Sequence, residues 1–215
     1  MKISLYAVNP VSGSEETELC FEISDGEHVE RRKLTVTAEM FFELGFPHTL
    51  CGNVEISCGK LDEVIFLAEK TAAIKRGLYI LSFADNTKKS LTRKLVQKGF
   101  SKEAALEATD FLAENGYINE NESAKMLARD MAVKKLYGAR RVSSALYEKG
   151  FSREAVENAI ENLDVDFHIL CGKRIDAMGG ADIFAEKDTK QKAVAALLRY
   201  GFSYDDIKEA LKKKR

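Results

Sequence analysis

Tryptophan is absent, proline occurs twice and histidine three times in 215 residues. So little proline leaves helices free to run and excludes a chain built on polyproline or proline-rich linkers. No apolar stretch approaches the roughly 20 residues that a membrane-spanning helix needs. The apolar run at the N-terminus is broken by Asn9-Pro10, too short for a signal peptide. A soluble, cytoplasmic protein without membrane contact is the expectation. The four cysteines (Cys20, Cys51, Cys58 and Cys171) form no Cys-x-x-Cys pair, so they read as small buried or free thiols rather than zinc ligands or a disulfide framework. His28, His48 and His168 are dispersed, and none stands at a recognisable spacing from a Ser or Cys nucleophile. Asp164-x-Asp166-x-His168 resembles a metal cluster but falls at a helix start, where acids are expected without a metal. Gly172-Lys173 lacks the upstream glycine of a phosphate loop, and Gly179-Gly180 follows no strand. The expectation is a protein that is not an enzyme and holds no metal or cofactor.

Charge is nearly balanced, with a net of −1, but unevenly spread. Residues 1–62 carry 5 Lys and Arg against 11 Asp and Glu, and residues 63–215 carry 28 against 23. An acidic head before a mildly basic remainder points weakly to a polyelectrolyte partner.

What the chain has in abundance is a repeat. Gly99, Gly150 and Gly201 lie 51 residues apart, and each is followed by Phe-Ser. Leu95, Leu146 and Leu197 precede each glycine by four, and Glu103, Glu154 and Asp205 follow by four. Glycine after a leucine-bearing helical run ends that helix in the left-handed conformation. Serine two residues later caps the next helix, with the acid in its first turn beside the positive end of the dipole. The phenylalanine packs forward onto Ala105, Val156 or Ile207 as a hydrophobic staple. Helix, tight turn, helix, three times over, is the signature of a repeat array. Valine at Gly150 is therefore expected to destabilise the second repeat, since a β-branched residue resists that turn.

Residues 1–60 read differently. Leu19–Ile23 and Val29–Val36 flank Asp25-Gly26, a hairpin signal suited to a type I′ turn. Thr37–Gly45 reads as a short capped helix, and Asn53–Ser57 as a further strand. The expected architecture is mainly α: three tandem three-helix repeats in an elongated array behind a small, acidic α+β cap. Its boundaries are 1–60 for the cap, then 61–115, 116–163 and 164–215. The first repeat opens on a long helix over about Leu61–Phe83 with Ala68, Ala72, Leu78 and Leu81 inward, followed by helices at about 88–98 and 102–115. The second opens at Asn119 or Asn121 with Ala124, Leu127 and Met131 on one face, followed by helices at about 139–149 and 153–163. The third opens near Asp164 with Phe167, Cys171, Ile175 and Met178 on one face, followed by a loop over Gly179–Asp188 and helices at about 189–200 and 204–213.

Leu91-Thr-Arg-Lys-Leu95 with Lys98-Gly-Phe100, then Leu112, Gly116-Tyr-Ile-Asn-Glu120 and Ala124, then Gly138-Ala-Arg-Arg-Val142, Leu146 and Lys149-Gly-Phe151 resemble the RecX family of recombination regulators. The resemblance covers about 62–211 and is clearest over 88–154. It implies a non-enzymatic protein of tandem three-helix repeats; a monomer is expected. It also implies binding to the RecA recombinase in the groove of its filament on DNA, inhibiting strand exchange and ATP hydrolysis in recombination and DNA repair.

With the leucines inward, the basic side chains of each repeat's second helix project outward. Lys88, Lys89, Arg93, Lys94 and Lys98 surround the first leucine stripe. Lys134, Lys135, Arg140 and Arg141 straddle Gly138, and Lys190, Lys192 and Arg199 take related places in the third repeat. These are the candidate partner-binding residues, facing acids of the recombinase or phosphates of its DNA. The bland alternative is a solvated face. Tyr117 and Tyr137 are expected to be partly buried between helices, and Lys212–Arg215 forms a basic tail that touches DNA or complements a helix dipole. A second functional class, a sequence-independent DNA-binding protein using basic helix pairs, predicts affinity falling steeply with salt whether or not a recombinase is present.

Overall fold

The computed structural model describes residues 1–213. They form a mainly helical fold with a small antiparallel sheet at the N-terminus, and contacts divide the chain into two compact units.

Unit 1 comprises Met1–Ala84 and Leu91–Tyr117. Strands β1 (Lys2–Pro10), β2 (Glu16–Ser24), β3 (Val29–Thr37) and β4 (Val54–Ile56) pair in the order β3-β2-β1-β4. The hairpin and the strand after it stand where the sequence placed them. The β2–β3 connection is not the two-residue turn that Asp-Gly suggested. Asp25 Oδ1 accepts from the N–H groups of both Glu27 and His28, so the loop spans four residues and Ser24 pairs with Val29. The sequence reading missed β1, a central strand whose Ile3 and Leu5 are buried with Leu19, Phe21 and Val36. Helix α1 (Ala38–Leu44) has Thr37 as its N-cap and ends on left-handed Gly45, as expected.

Helix α2 (Cys58–Leu81) starts earlier than periodicity indicated because Ser57 caps it, its hydroxyl accepting from the Lys60 N–H. Its buried face is Leu61, Val64, Thr71, Ala73, Ile74 and Gly77. Ala72, expected inward, is exposed, and Ala68, Leu78 and Leu81 are half-buried, because the inward stripe runs through the residues on either side. Helices α3 (Lys88–Gln97) and α4 (Lys102–Glu114) follow, and α2 packs on α4, with Gly77 leaving room for Leu112. The Ser101 backbone N–H donates to Glu69 Oε1 at 2.6 Å and its hydroxyl to Glu69 Oε2 at 2.9 Å. One carboxylate on α2 thereby holds the start of α4.

Unit 2 comprises Asp85–Ser90 and the chain from Ile118 onward. It holds α5 (Glu120–Lys135), α6 (Ala139–Glu148), α7 (Arg153–Glu161), α8 (Phe167–Ala177), α9 (Lys187–Arg199) and α10 (Tyr204–Lys212). The loop after α8 contains a single 3-10 turn, Ala181–Phe184, and α9 begins two residues before the expected start. The core gathers Ala124, Ala128, Met131, Val142, Leu146, Val156, Cys171, Ile175, Leu197, Phe202 and Ile207. The Gly-Phe-Ser turns behave as the spacing required: Gly99, Gly150 and Gly201 have φ of 98°, 90° and 89°. Ser101, Ser152 and Ser203 each cap the next helix through a side-chain oxygen.

The cysteines give a direct check on this packing. Cys51 and Cys58 are exposed; Cys20 and Cys171 are buried. Burial pushes the Cys171 thiol up to about 12, with the Asp206 carboxylate acting the same way. A thiol reagent at neutral pH is expected to modify Cys51 and Cys58 in the native protein and the other two only after denaturation. Rapid native labelling of Cys171, read by mass spectrometry, would contradict the packing of α8.

Candidate partner-binding surface

The three basic helices are α3, α6 and α9, each turning its leucine inward: Leu91 and Leu95, Val142 and Leu146, Ala193 and Leu197. The candidate residues lie on the other faces of these helices, except Lys98 in the turn after α3 and Lys134 and Lys135 at the end of α5. Lys88, Lys89, Arg93 and Lys98 are exposed and Lys94 is half-buried. Lys134 and Lys135 are exposed, with the Lys134 ammonium 2.8 Å from Asp130. Lys190, Lys192 and Arg199 are exposed along α9.

Arg140 and Arg141, expected to face outward together, separate. Arg140 is exposed, and among the described residues only its backbone is engaged, its N–H donating to the Gly201 carbonyl at 3.2 Å. Arg141 is half-buried. Its guanidinium carbon lies 4.2 Å from the Tyr137 ring centroid and 5.1 Å from that of Tyr200, and Nη1 donates to the Arg199 carbonyl at 3.4 Å. Arg174 on α8 stacks on Tyr200 at 3.6 Å and donates to the Lys135 carbonyl. The cause is a backbone crossing: the Gly138 N–H donates to the Tyr200 carbonyl at 2.8 Å, drawing the start of α6 against the turn after α9. Side chains flanking that crossing stack upon each other because planar guanidinium lies favourably on aromatic faces.

Tyr200, Arg174 and Lys149 are the residues that periodicity alone passed over. The signal for Tyr200 was in the repeat, since it stands where Lys98 and Lys149 stand in the other two turns. Tyr137 is half-buried as expected, whereas Tyr117 is exposed, because the turn after α4 leaves its ring outside the core.

Beside the stack, a pocket of about 570 Å³ opens between α5 and α6. Lys135, Tyr137, Arg141, Ser144, Glu148 and Lys149 are among its lining residues. Lys135, Arg141 and Lys149 have no carboxylate within ion-pair distance among the described residues.

The remaining features carry no comparable chemistry. Asp166 is the N-cap of α8, and the N–H groups of Ile169 and His168 hold its carboxyl below the ordinary aspartate value. His168 Nδ1 lies 3.2 Å from Asp206, and among the described residues no three His, Cys, Asp or Glu side chains group as metal ligands. No helix among the described residues is long and apolar enough to cross a membrane. In the basic tail, Lys212 pairs with Glu209 at 2.6 Å, and Lys214 and Arg215 lie outside the described residues.

No protein-family model matches the chain. Curated relatives do. A regulatory protein RecX from Clostridium botulinum is 30% identical over 157 residues, covering 68% of this chain and 71% of that one. Another from Caldanaerobacter subterraneus subsp. tengcongensis is 28% identical over 191 residues, covering 87% and 89%. A third, from Stenotrophomonas maltophilia, is 30% identical over 141 residues, covering 64% and 83%. Among solved structures, a regulatory protein RecX aligns over 98% of this chain and 99% of its own with a TM-score of 0.69 at 17% identity. RecX from Lactobacillus salivarius aligns over 67% and 96% with a TM-score of 0.60 at 21% identity. At these identities the structural likeness speaks for the fold.

Proposed function

The chain belongs to the RecX family of regulatory proteins, and from that premise we propose that it binds the filament of the RecA recombinase on DNA and restrains strand exchange and ATP hydrolysis. The family match carries this reading. We read the helical part as three tandem three-helix repeats, 61–115, 116–163 and 164–215, behind the cap of residues 1–60. Basic second helices recurring every 51 residues then offer a series of similar faces, which suits a target whose own subunits repeat. The residues assigned to that contact are the exposed cations of α3, α6 and α9, Arg140 among them, together with Lys98, Lys134 and Lys135; the Arg141 guanidinium is held in the stack with Tyr137 and Tyr200.

The test is binding of the purified protein to filaments of RecA, single-stranded DNA and nucleotide, beside bare DNA in the same salt, with ATP hydrolysis followed. Filament-dependent binding that slows hydrolysis supports the regulator. Equal affinity for bare DNA, with hydrolysis changing only as DNA is sequestered, favours the basic-helix DNA-binding class instead. Arg140→Glu is expected to leave the melting profile within about 0.5 kcal/mol of the parent, as for an exposed side chain. The same substitution should weaken filament binding about tenfold through lost charge complementarity. Undiminished binding would show that Arg140 faces only solvent.

A further inference from the structure

We infer that the pocket between α5 and α6 is a phosphate seat, and that the phosphate it takes is the backbone phosphodiester of nucleic acid. This deepens the regulator reading, on which it rests for its nucleic-acid source. Three cations, Lys135, Arg141 and Lys149, line the pocket against one carboxylate, Glu148. Lys134, next in sequence, is already paired with Asp130 and is not among the lining residues.

Arg141 is the fixed point. Tyrosine rings pack against its guanidinium, and a backbone carbonyl anchors Nη1, so its orientation is set before any ligand arrives. Among the described residues that carbonyl is the only acceptor for its five N–H donors, which leaves the edges able to bond an oxyanion in the guanidinium plane. A pre-ordered arginine binds without the loss of side-chain freedom that a solvated one would suffer. The two lysines supply charge without fixed geometry.

The seat is also local rather than one more turn of the recurring basic stripe. Fifty-one residues before Lys135 stands Ala84, and 51 after it stands Glu186; Arg141 is matched by Ser90 and Lys192. Leu136 ends α5 with φ of 51°, a left-handed conformation that crowds the β-carbon of any non-glycine residue. The residues on both sides of it, Lys135 and Tyr137, line the pocket. A backbone outlier of this kind concentrates at binding sites.

The experiment titrates a fluorescent oligothymidylate with the full chain by anisotropy between 50 and 200 mM salt, comparing the parent with Lys135→Gln/Lys149→Gln. Neither lysine side chain has a hydrogen-bond or ion-pair partner among the described residues, so the fold is expected to persist, checked by circular dichroism. Losing two phosphate contacts should lower the slope of log affinity against log salt by about 1.4, at about 0.7 per contact for single strands. Affinity at the low-salt end should drop about tenfold or more. Lys125→Gln, exposed on the same helix as Lys135 but outside the pocket lining, should keep the parent slope. Displacement of the oligonucleotide by low-millimolar ATP, lost in the double variant, would keep the phosphate chemistry but assign it to a free nucleotide. A double variant with the parent's affinity and slope for both ligands overturns the seat, as does a parent that binds neither. Filament binding measured on the same proteins separates the two readings. A parent that binds oligonucleotide through these lysines but never the filament ends the regulator reading and leaves the seat standing.

Discussion

Alanine at Gly201 is expected to cost unit 2 about 3–5 kcal/mol, against about 1 kcal/mol for alanine at Gly99. Both glycines end a helix at positive φ, 89° and 98°, so the conformational cost is shared. Space separates them. A β-carbon at Gly99 would meet nothing within 4 Å. One at Gly201 would fall within 3.0 Å of the Arg141 backbone nitrogen, the Arg141 β-carbon and the Gly138 carbonyl oxygen. Backbone cannot rotate aside as a side chain does, so α6 would have to leave the turn, losing the Gly138-to-Tyr200 and Arg140-to-Gly201 hydrogen bonds and the tyrosine–arginine stack. Gly150 is intermediate: its β-carbon would sit 3.1 Å from the Thr87 hydroxyl and 3.4 Å from the Lys89 β-carbon, which have some freedom to move, for about 1–2 kcal/mol. Three substitutions at equivalent positions should thus rank Gly99, Gly150, Gly201 in chemical denaturation. Equal losses at all three would mean that only the left-handed turn matters and that the Gly138–Gly201 approach is looser than described.

The helical framework was legible because its signals are local and repeated: leucine four before glycine, serine two after it, an acid in the next first turn. What escaped depends on contacts between segments distant in sequence. β1 offers no turn signal of its own and becomes a strand because β2 and β4 pair on either side of it. The start of α2 turned on Ser57, a cap that apolar periodicity does not register. At the candidate surface, outward projection was a sound expectation for Arg140, whose environment is set by its own helix. It failed for Arg141, whose environment is set by Tyr200, 59 residues away. No periodicity of α6 reveals that partner.

Replacing Glu120 with alanine is expected to destabilise unit 2 by about 2–4 kcal/mol, since hydrogen bonds to a charged acceptor contribute about 1.5–3 kcal/mol each and the freed donors regain some water. The Glu120 carboxylate accepts from two helix starts at once: the Lys88 N–H of α3 at 2.8 Å and the Ser152 N–H of α7 at 3.0 Å. Both donors stand at the positive end of a helix dipole, where a carboxylate is held most strongly. Fifty-one residues earlier, Glu69 does the corresponding work with both of its oxygens on Ser101 alone. Glu69→Ala should therefore cost about as much in unit 1, yet leave the Lys88 amide as protected from hydrogen exchange as in the parent. Fifty-one residues later the acid is gone. Cys171 stands there, its thiol pushed up to about 12 and hence neutral, and the Ser203 N–H turns instead to Asp206 at 2.7 Å within its own helix start. Deprotection of Lys88 in Glu120→Ala and not in Glu69→Ala would identify Glu120 as the group that holds the start of α3 to the start of α7. Matching exchange in both variants would mean that apolar packing and the Thr87–Lys149 contact already fix the start of α3, with the shared carboxylate contributing little.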